Sequence, residues 1–483
     1  MFDCQQCQPS TLNRRDFLQR AGAGFGMLGL QALLGREGLL ASDAVSANPL
    51  SPRLPHFPGK AKSVIFLFMY GGPSQVDTFD YKPALEKHHG QKIDKVSFGT
   101  SKIDRIYKGG SLMKSPFGFD RHGESGLWVC DQYPHIASVI DDIAVIKSVY
   151  AESNNHAPAL FQLNTGMTRV GFPSVGSWVT YGIGTENQDM PGFVVMYDYR
   201  GGPIGGPQNW GSGFLPSTYQ ATPVRSKGTP ILNLSRSGDV SAAQQREQLD
   251  LMKELNQQHS KSHPAEADLL DRIETFELAY RMQSAAPELI DISKETEKTK
   301  QVYGIEPNKR TAYFGTQCLM ARRLVERGVR FVQLYSGGGH GDNNWDAHGN
   351  IIKNHKMHCY DTDKPIAGLI TDLKNRGLLD ETLIVWGGEF GRTPQKQGGG
   401  GRDHHPEGFC MFMAGGGIKG GVSYGETDEV GYHAAVDRTS VNDIHATILH
   451  MLGIDHKQLT FAHRGRRFRL TDVSGEPIRK IMA

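Results

Sequence analysis

Residues 382–406 read TLIVWGGEFGRTPQKQGGGGRDHHP and hold the densest set of chemically useful side chains in the sequence. Glu389 follows the apolar run Leu383 to Trp386 through two glycines, so a carboxylate stands at the C-terminal end of a predicted strand. A Gly- and Gln-rich loop then delivers Arg402, Asp403, His404 and His405 together. Carboxylates with imidazoles bind divalent metals, and a bound metal polarises an ester oxygen. A guanidinium such as Arg392 or Arg402 can hold a non-bridging sulfate or phosphate oxygen through two parallel hydrogen bonds.

Three other stretches offer the same chemistry. GGGHGDNNWDAH, residues 337–348, brings Asp346 and His348, and SQVDTFD carries Asp77 and Asp80. Asp77 reads as a ligand and Asp80 as a helix cap. Asn155 and His156 open a predicted helix, where free N–H groups and the helix dipole favour an anion and lower the imidazole pKa. His156 there either takes a transferred group covalently or serves as a metal ligand or general base, and the second role needs fewer assumptions. His355 and His358 read as surface residues of a covering helix, and His445 and His450 as parts of a packing helix outside the site.

These loops need a scaffold that brings them to one place. Near-continuous apolar runs at Ser63 to Met69, Ile143 to Val149, Val329 to Leu334 and Leu383 to Trp386 each end in a polar loop. Helical patterns at 311–327, 355–376 and 440–452 alternate with the later runs. The alternation predicts an α/β fold with a mostly parallel central sheet and helices on both faces, SVIFLFM being the central strand. Such sheets bind ligands outside the carboxyl ends of their strands, which is where all four loops fall. Loop-rich insertions are expected near 90–127 and 191–300.

Composition narrows the partners. A formal net charge of +2 over 483 residues excludes a strongly basic nucleic-acid binder. Glycine supplies 58 residues, well above the usual share of about 7%, which suits a loop-rich enzyme better than a helical repeat. Cys4 and Cys7 read as incidental, and the four later cysteines are too scattered for a disulfide framework or zinc ribbon, so buried thiols are expected. Asn13-Arg14-Arg15-Asp16-Phe17-Leu18, a weakly apolar stretch and Ala44-Val45-Ser46-Ala47 mark residues 1–47 as a twin-arginine export signal. Residues 48–483 then form one large exported domain, periplasmic or extracellular, with the twin-arginine machinery as a partner. No later apolar run is long enough to span a membrane.

The first strand with its polar loop, the helix ending in Thr165-Gly166, the TLIVWGGEFG strand and the closing GGGIKGG segment resemble the alkaline-phosphatase-like superfamily. They most resemble its sulfatase-like branch, and within it a family of exported proteins with EFGRTP, GRDH and WD-x-H motifs. The resemblance runs from about Lys60 to Arg469. It implies that His156 occupies the position of the superfamily's nucleophile, with Pro158 and Thr165-Gly166 matching the sulfatase signature. Sulfatases need a Cys or Ser there for conversion to formylglycine, which an imidazole cannot undergo. It also implies that Glu389 replaces a metal-binding Asp, that Phe390 stands where the adjacent His would be, and that Gly71 stands where an Asp ligand would be, with Asp77 as its substitute. Asp346 with His348 resembles the middle metal-binding segment, and Asp403 with His404 or His405 the late one.

The combined expectation is an exported, metal-dependent hydrolase of sulfate or phosphate esters, on small molecules or polysaccharides, with a rewritten site. Its ligands would come from Asp77, Asp346, His348, Glu389, Asp403 and His404. His156 and Arg392 would be catalytic, and Arg402, His405 and Asn155 would contact substrate. Mixed oxygen and nitrogen donors favour zinc or manganese, and calcium fits where carboxylates dominate. The rival expectation is a binding or scaffold protein that kept the fold without catalysis.

Overall fold

The computed structural model describes residues 48–92, 110–226, 228–232, 234–236, 238–262 and 268–483. The expected export segment, 1–47, and the middle of the expected 90–127 insertion lie outside the described residues.

Among the described residues, nine strands form the central sheet: β1 (Ser63–Met69), β2 (Ile143–Tyr150), β3 (Phe193–Met196), β4 (Thr222–Pro223), β5 (Phe331–Ser336), β6 (Thr382–Gly387), β7 (Phe409–Ala414), β8 (Val422–Tyr424) and β9 (Thr439–Ser440). Their order is β8-β2-β7-β6-β1-β5-β3-β4, with β9 also on β2. SVIFLFM is buried at every position and lies between β5 and β6, the central place its unbroken apolar run demands. Only β7 runs against its neighbours β2 and β6. Every other pairing is parallel, so β1, β2, β5 and β6 present their carboxyl ends at one edge. The outer strands are blunted against further pairing: β4 has two residues and ends in Pro223, and β8 has three.

Helices surround the sheet: α1 (His156–Thr165), α2 (Val175–Ile183), α3 (Ala242–Ser262), α4 (Asp268–Ile290), α5 (Thr311–Glu326), α6 (Ile351–Asn375) and α7 (Val441–Met451). The ends of α1 are written in its sequence. Asn155 caps it by accepting from the Ala157 N–H at 3.3 Å, and Gly166 closes it in the left-handed region at φ 77°. α7 begins with a reciprocal capping box between Ser440 and Asp443.

Two sequence expectations are corrected by α6. His355 and His358 are fully buried rather than on the surface. His355 accepts the Ser74 N–H at Nε2 (2.9 Å), and burial holds it neutral with a pKa of about 3. Cys130, Cys318, Cys359 and Cys410 are free, buried thiols. Among the described residues, no helix is long and apolar enough to cross a membrane.

Candidate metal centre

Because β1, β2, β5 and β6 share a direction, the loops that leave them meet. Tyr70 and Gly71 follow β1, Asn154 to His156 follow β2, Asp346 and His348 lie beyond β5, and Glu389 follows β6. The long loop after β6 returns as a two-residue antiparallel pairing of His404-His405 with Arg392-Gly391.

Asp346 is the hub. Its Oδ1 lies 2.8 Å from His348 Nε2, 3.0 Å from His404 Nε2 and 2.7 Å from Arg392 Nη2, and its Oδ2 lies 3.3 Å from His156 Nε2. His348 Nε2 and His404 Nε2 are 2.9 Å apart. Donor atoms of His156, Asp346 and His404 all lie within 4.8 Å of one another, and so do those of His348, Asp403 and His404. His156 Nε2 is buried with no hydrogen-bond partner. A buried imidazole nitrogen that makes no hydrogen bond, aimed at a carboxylate and a second imidazole, is what an ion would satisfy.

Glu389 is placed to hold His156 rather than an ion. It is fully buried, its Oε1 is 2.6 Å from His156 Nδ1, and its two oxygens accept the Gly71 N–H at 3.0 and 3.2 Å. A carboxylate on one ring nitrogen fixes the tautomer and turns the other nitrogen towards the cluster, the arrangement usual for metal-ligating histidines. Gly71 is required for this. Its φ is +109°, and a Cβ there would come within 2.6 Å of the backbone nitrogens of Trp345 and Asp346.

The electrostatics differ from the sequence expectation at His156. Burial pulls its pKa down, yet the carboxylates of Asp346 and Glu389 together outweigh it and raise it to about 9. Burial would raise Asp346, but His156, His348, His404 and Arg392 hold it far below the usual carboxylate range. The Asp346 hydrogen bond raises His348, whereas burial lowers His404.

Several expected site residues lie elsewhere. Asp77 is not a ligand. It is completely buried and paired with Arg402, whose Nε and Nη2 donate to its carboxylate at 2.6 and 3.1 Å. Arg402 spends its other hydrogens on the carbonyls of Thr393, Pro394 and Met113, so it is a buried brace and has no face for substrate. His405 is also fully buried, with Nε2 on the Tyr432 carbonyl, and it turns away from the cluster. Arg392 is fully buried as well. It donates to Asp346 and to the carbonyls of Gly71 and Gly72, which makes it the anchor of the hub. Asn155 is exposed beside His156 and engaged in capping.

Sequence reasoning missed two contributors, Gln397 and Asn154, and named a third, Phe390, only as a departure from the ligand pattern. Gln397 Oε1 meets His348 Nδ1, the Asn154 carbonyl meets His404 Nδ1 at 2.8 Å, and the buried Phe390 ring packs on His156 and His404 at centroid distances of 4.9 and 4.6 Å. Only Phe390 gave a signal, as an apolar residue directly after the strand-end acid. Exposure rises from 0% at Glu389 through 12% at His156 to 34% at Asp403 and 38% at His348, so the cluster opens to solvent on the side of the last two.

Residues 61–482 match a family described as "Protein of unknown function (DUF1501)". No curated protein matches. Among solved structures, the chain is similar to the PsFucS1 sulfatase from Pseudoalteromonas sp., with 13% identity over 90% of this chain and 72% of that one and a TM-score of 0.36. It is similar to the phosphonate monoester hydrolase SpPMH from Silicibacter pomeroyi, with 12% identity over 72% and 71% and a TM-score of 0.34. A protein in the alkaline phosphatase superfamily from Vibrio parahaemolyticus matches with 9% identity over 85% and 71% and a TM-score of 0.37.

Proposed function

The chain belongs to the family described as a protein of unknown function (DUF1501), and from that premise we propose that it is a metal-dependent hydrolase of sulfate or phosphate esters. The observation that carries the reading is the buried Nε2 of His156, which makes no hydrogen bond and faces Asp346 and His404 at the open edge of the sheet. These three residues would hold one divalent ion, zinc or manganese by the preference of two imidazoles and a carboxylate. The ion, when bound, supplies a Lewis acid that polarises the ester oxygen.

The chain's own residues do the rest. Glu389 holds His156 by Nδ1, which leaves that nitrogen unable to attack, so His156 acts as a ligand and water is the nucleophile. Arg392 pins Asp346 from below. His348 and Asp403 stand on the solvent side, 3.7 Å apart, where an incoming water meets them; both ring nitrogens of His348 are engaged, Nδ1 with Gln397 and Nε2 with Asp346, so the Asp403 carboxylate takes the proton of that water. Among the described residues of the cluster there is no serine, threonine or cysteine, in keeping with direct attack by water. The superfamily resemblance supports the substrate class, and the twin-arginine segment supports an exported, periplasmic or extracellular location.

The test is elemental analysis of the purified protein, followed by assays of aryl sulfates, aryl phosphates and phosphodiesters with zinc, manganese and calcium. Asp403→Asn should keep the ion and lose turnover, whereas His404→Ala should lose both. Absence of any bound metal and of any metal-dependent thermal shift sinks the proposal. Phe390 favours the rival, non-catalytic reading, because an apolar ring fills a place where a further ligand would otherwise stand. Metal bound with no turnover of any ester class would select that rival.

A further inference from the structure

Beyond the metal loop, a cavity of about 860 Å³ opens between α6, the residues leading into α5 and the short helix Pro134–Ser138. A second cavity of about 410 Å³ shares Lys309 and Arg310 with it. Each is within the range of ordinary ligand sites, and the two adjoin along Lys309 and Arg310. Five cations line the larger cavity: Lys309, Arg310, Lys353, Lys356 and Lys364. Arg310 is paired with Asp361, Lys353 with Asp342 and Lys364 with Glu306, at 2.7, 2.7 and 3.3 Å. Lys309 and Lys356 are exposed and have no ionic partner among the described residues. Tyr360 from α6 is 50% exposed in the larger cavity, and Tyr199 is 65% exposed in the smaller one.

The mixture of groups decides the class of ligand. Asp131 and Glu306 sit among the lysines, whereas the Asp363 carboxylate is buried beneath them and takes the N–H groups of His135 and Ile136. A nucleic acid carries a charge every ~1.7 Å and would meet the Asp131 and Glu306 carboxylates at close quarters. A sugar chain with charges spaced along it meets no such repulsion. Its hydroxyls can donate to the carboxylates, its ring faces can lie on tyrosine, and its anionic substituents can reach the two unpaired ammonium groups. We propose that these adjoining cavities bind an anionic polysaccharide bearing spaced sulfate or carboxylate groups. The site lies on residues that take no part in the metal cluster, and binding there is read without turnover, so the inference stands or falls separately from the hydrolase reading.

The experiment is calorimetric titration of the full chain with dextran sulfate, polygalacturonate, uncharged dextran, inorganic sulfate and duplex DNA, each at two salt concentrations. At least one anionic polysaccharide should bind more tightly than the other three probes, and the tighter of the two polymers identifies the substituent. The double variant Lys309→Ala/Lys356→Ala should weaken that binding by roughly tenfold or more and flatten its salt dependence, with circular dichroism and metal content unchanged. Tyr360→Ala should weaken binding while leaving the salt slope as it was. Failure of both polysaccharides to bind, unchanged affinity in the double lysine variant, or duplex DNA binding as tightly as the better polysaccharide would each overturn the proposal.

Discussion

Replacing Asp77 by Ala separates structural from chemical acids at this edge of the sheet. The Asp77 carboxylate and the Arg402 guanidinium are both wholly inaccessible, and two hydrogen bonds join them. Removing one member of such a pair strands the other charge in the interior, at a cost of about 3–5 kcal/mol. Against a total stability of about 5–15 kcal/mol, that is a third or more of what holds the fold. Replacing both residues, as Asp77→Ala/Arg402→Met, leaves no unpaired charge and should recover much of the loss. Equilibrium urea unfolding of the metal-free proteins gives the stabilities, and zinc stoichiometry on the folded fraction gives the metal content, which should match the parent. pH adds an independent check. Burial would raise the Asp77 carboxyl, but Arg402 holds it below the usual 3.8. Stabilisation by a depressed acid is complete above its unfolded value and is lost as pH falls through the folded one, so the cost of Asp77→Ala should shrink in strong acid. A cost under about 1 kcal/mol would refute the reasoning about the pair, since a surface ion pair is worth no more than that. Loss of the ion from the folded fraction would return Asp77 to the ligand set.

Three further outcomes follow from the same geometry. Glu389→Gln should weaken metal affinity by about 10–100-fold while the ion still binds at saturation, because the carboxylate orients His156 without coordinating; a chelator competition titration that shows no binding at saturation would make Glu389 a ligand after all. Gly71→Asp should abolish metal binding, since its side chain would collide with the backbone at Trp345 and Asp346, and tighter binding in that variant would contradict the role given to the glycine. His445 is pushed down to about 4 by burial, with Nε2 on the Leu163 carbonyl at 2.8 Å. Between about pH 6.5 and 4 only the unfolded chain binds its proton, so this residue lowers stability by up to about 1.4 kcal/mol per pH unit as pH falls. His445→Gln keeps a donor for that carbonyl and removes the titration, and its stability measured across this window should decline less steeply; parallel curves would refute the assignment.

The sheet was legible because its strands are unbroken apolar runs. Ser63–Met69 and Phe409–Ala414 have the bounds their sequences suggest, since six consecutive apolar residues, as in each of them, can be satisfied only where both faces are covered. The buried face of α6 was legible too, had its histidines been set on the same stripe as Ile351, Thr362, Ile366, Leu369 and Leu373. Partnership across the chain was not. Asp77 and Arg402 are separated by 325 positions, and nothing local to either residue tells a ligand from half of a buried pair.

The two adjacent imidazoles carry the most instructive case. Asp403-His404-His405 offers both rings to the late metal position, and residue type alone cannot choose between them. Local geometry can. The pair forms a short strand against Gly391-Arg392, and successive side chains of a strand point to opposite faces. Once one ring faces Asp346, the other must face the interior, so a single residue supplies the ligand whichever it is. Arg392, directly opposite His404 in the register, also reaches Asp346, whereas His405 is paired with Gly391, which has no side chain to place beside the hub. The face that carries Arg392 is therefore the face of the site, and His404 is the imidazole that belongs to it.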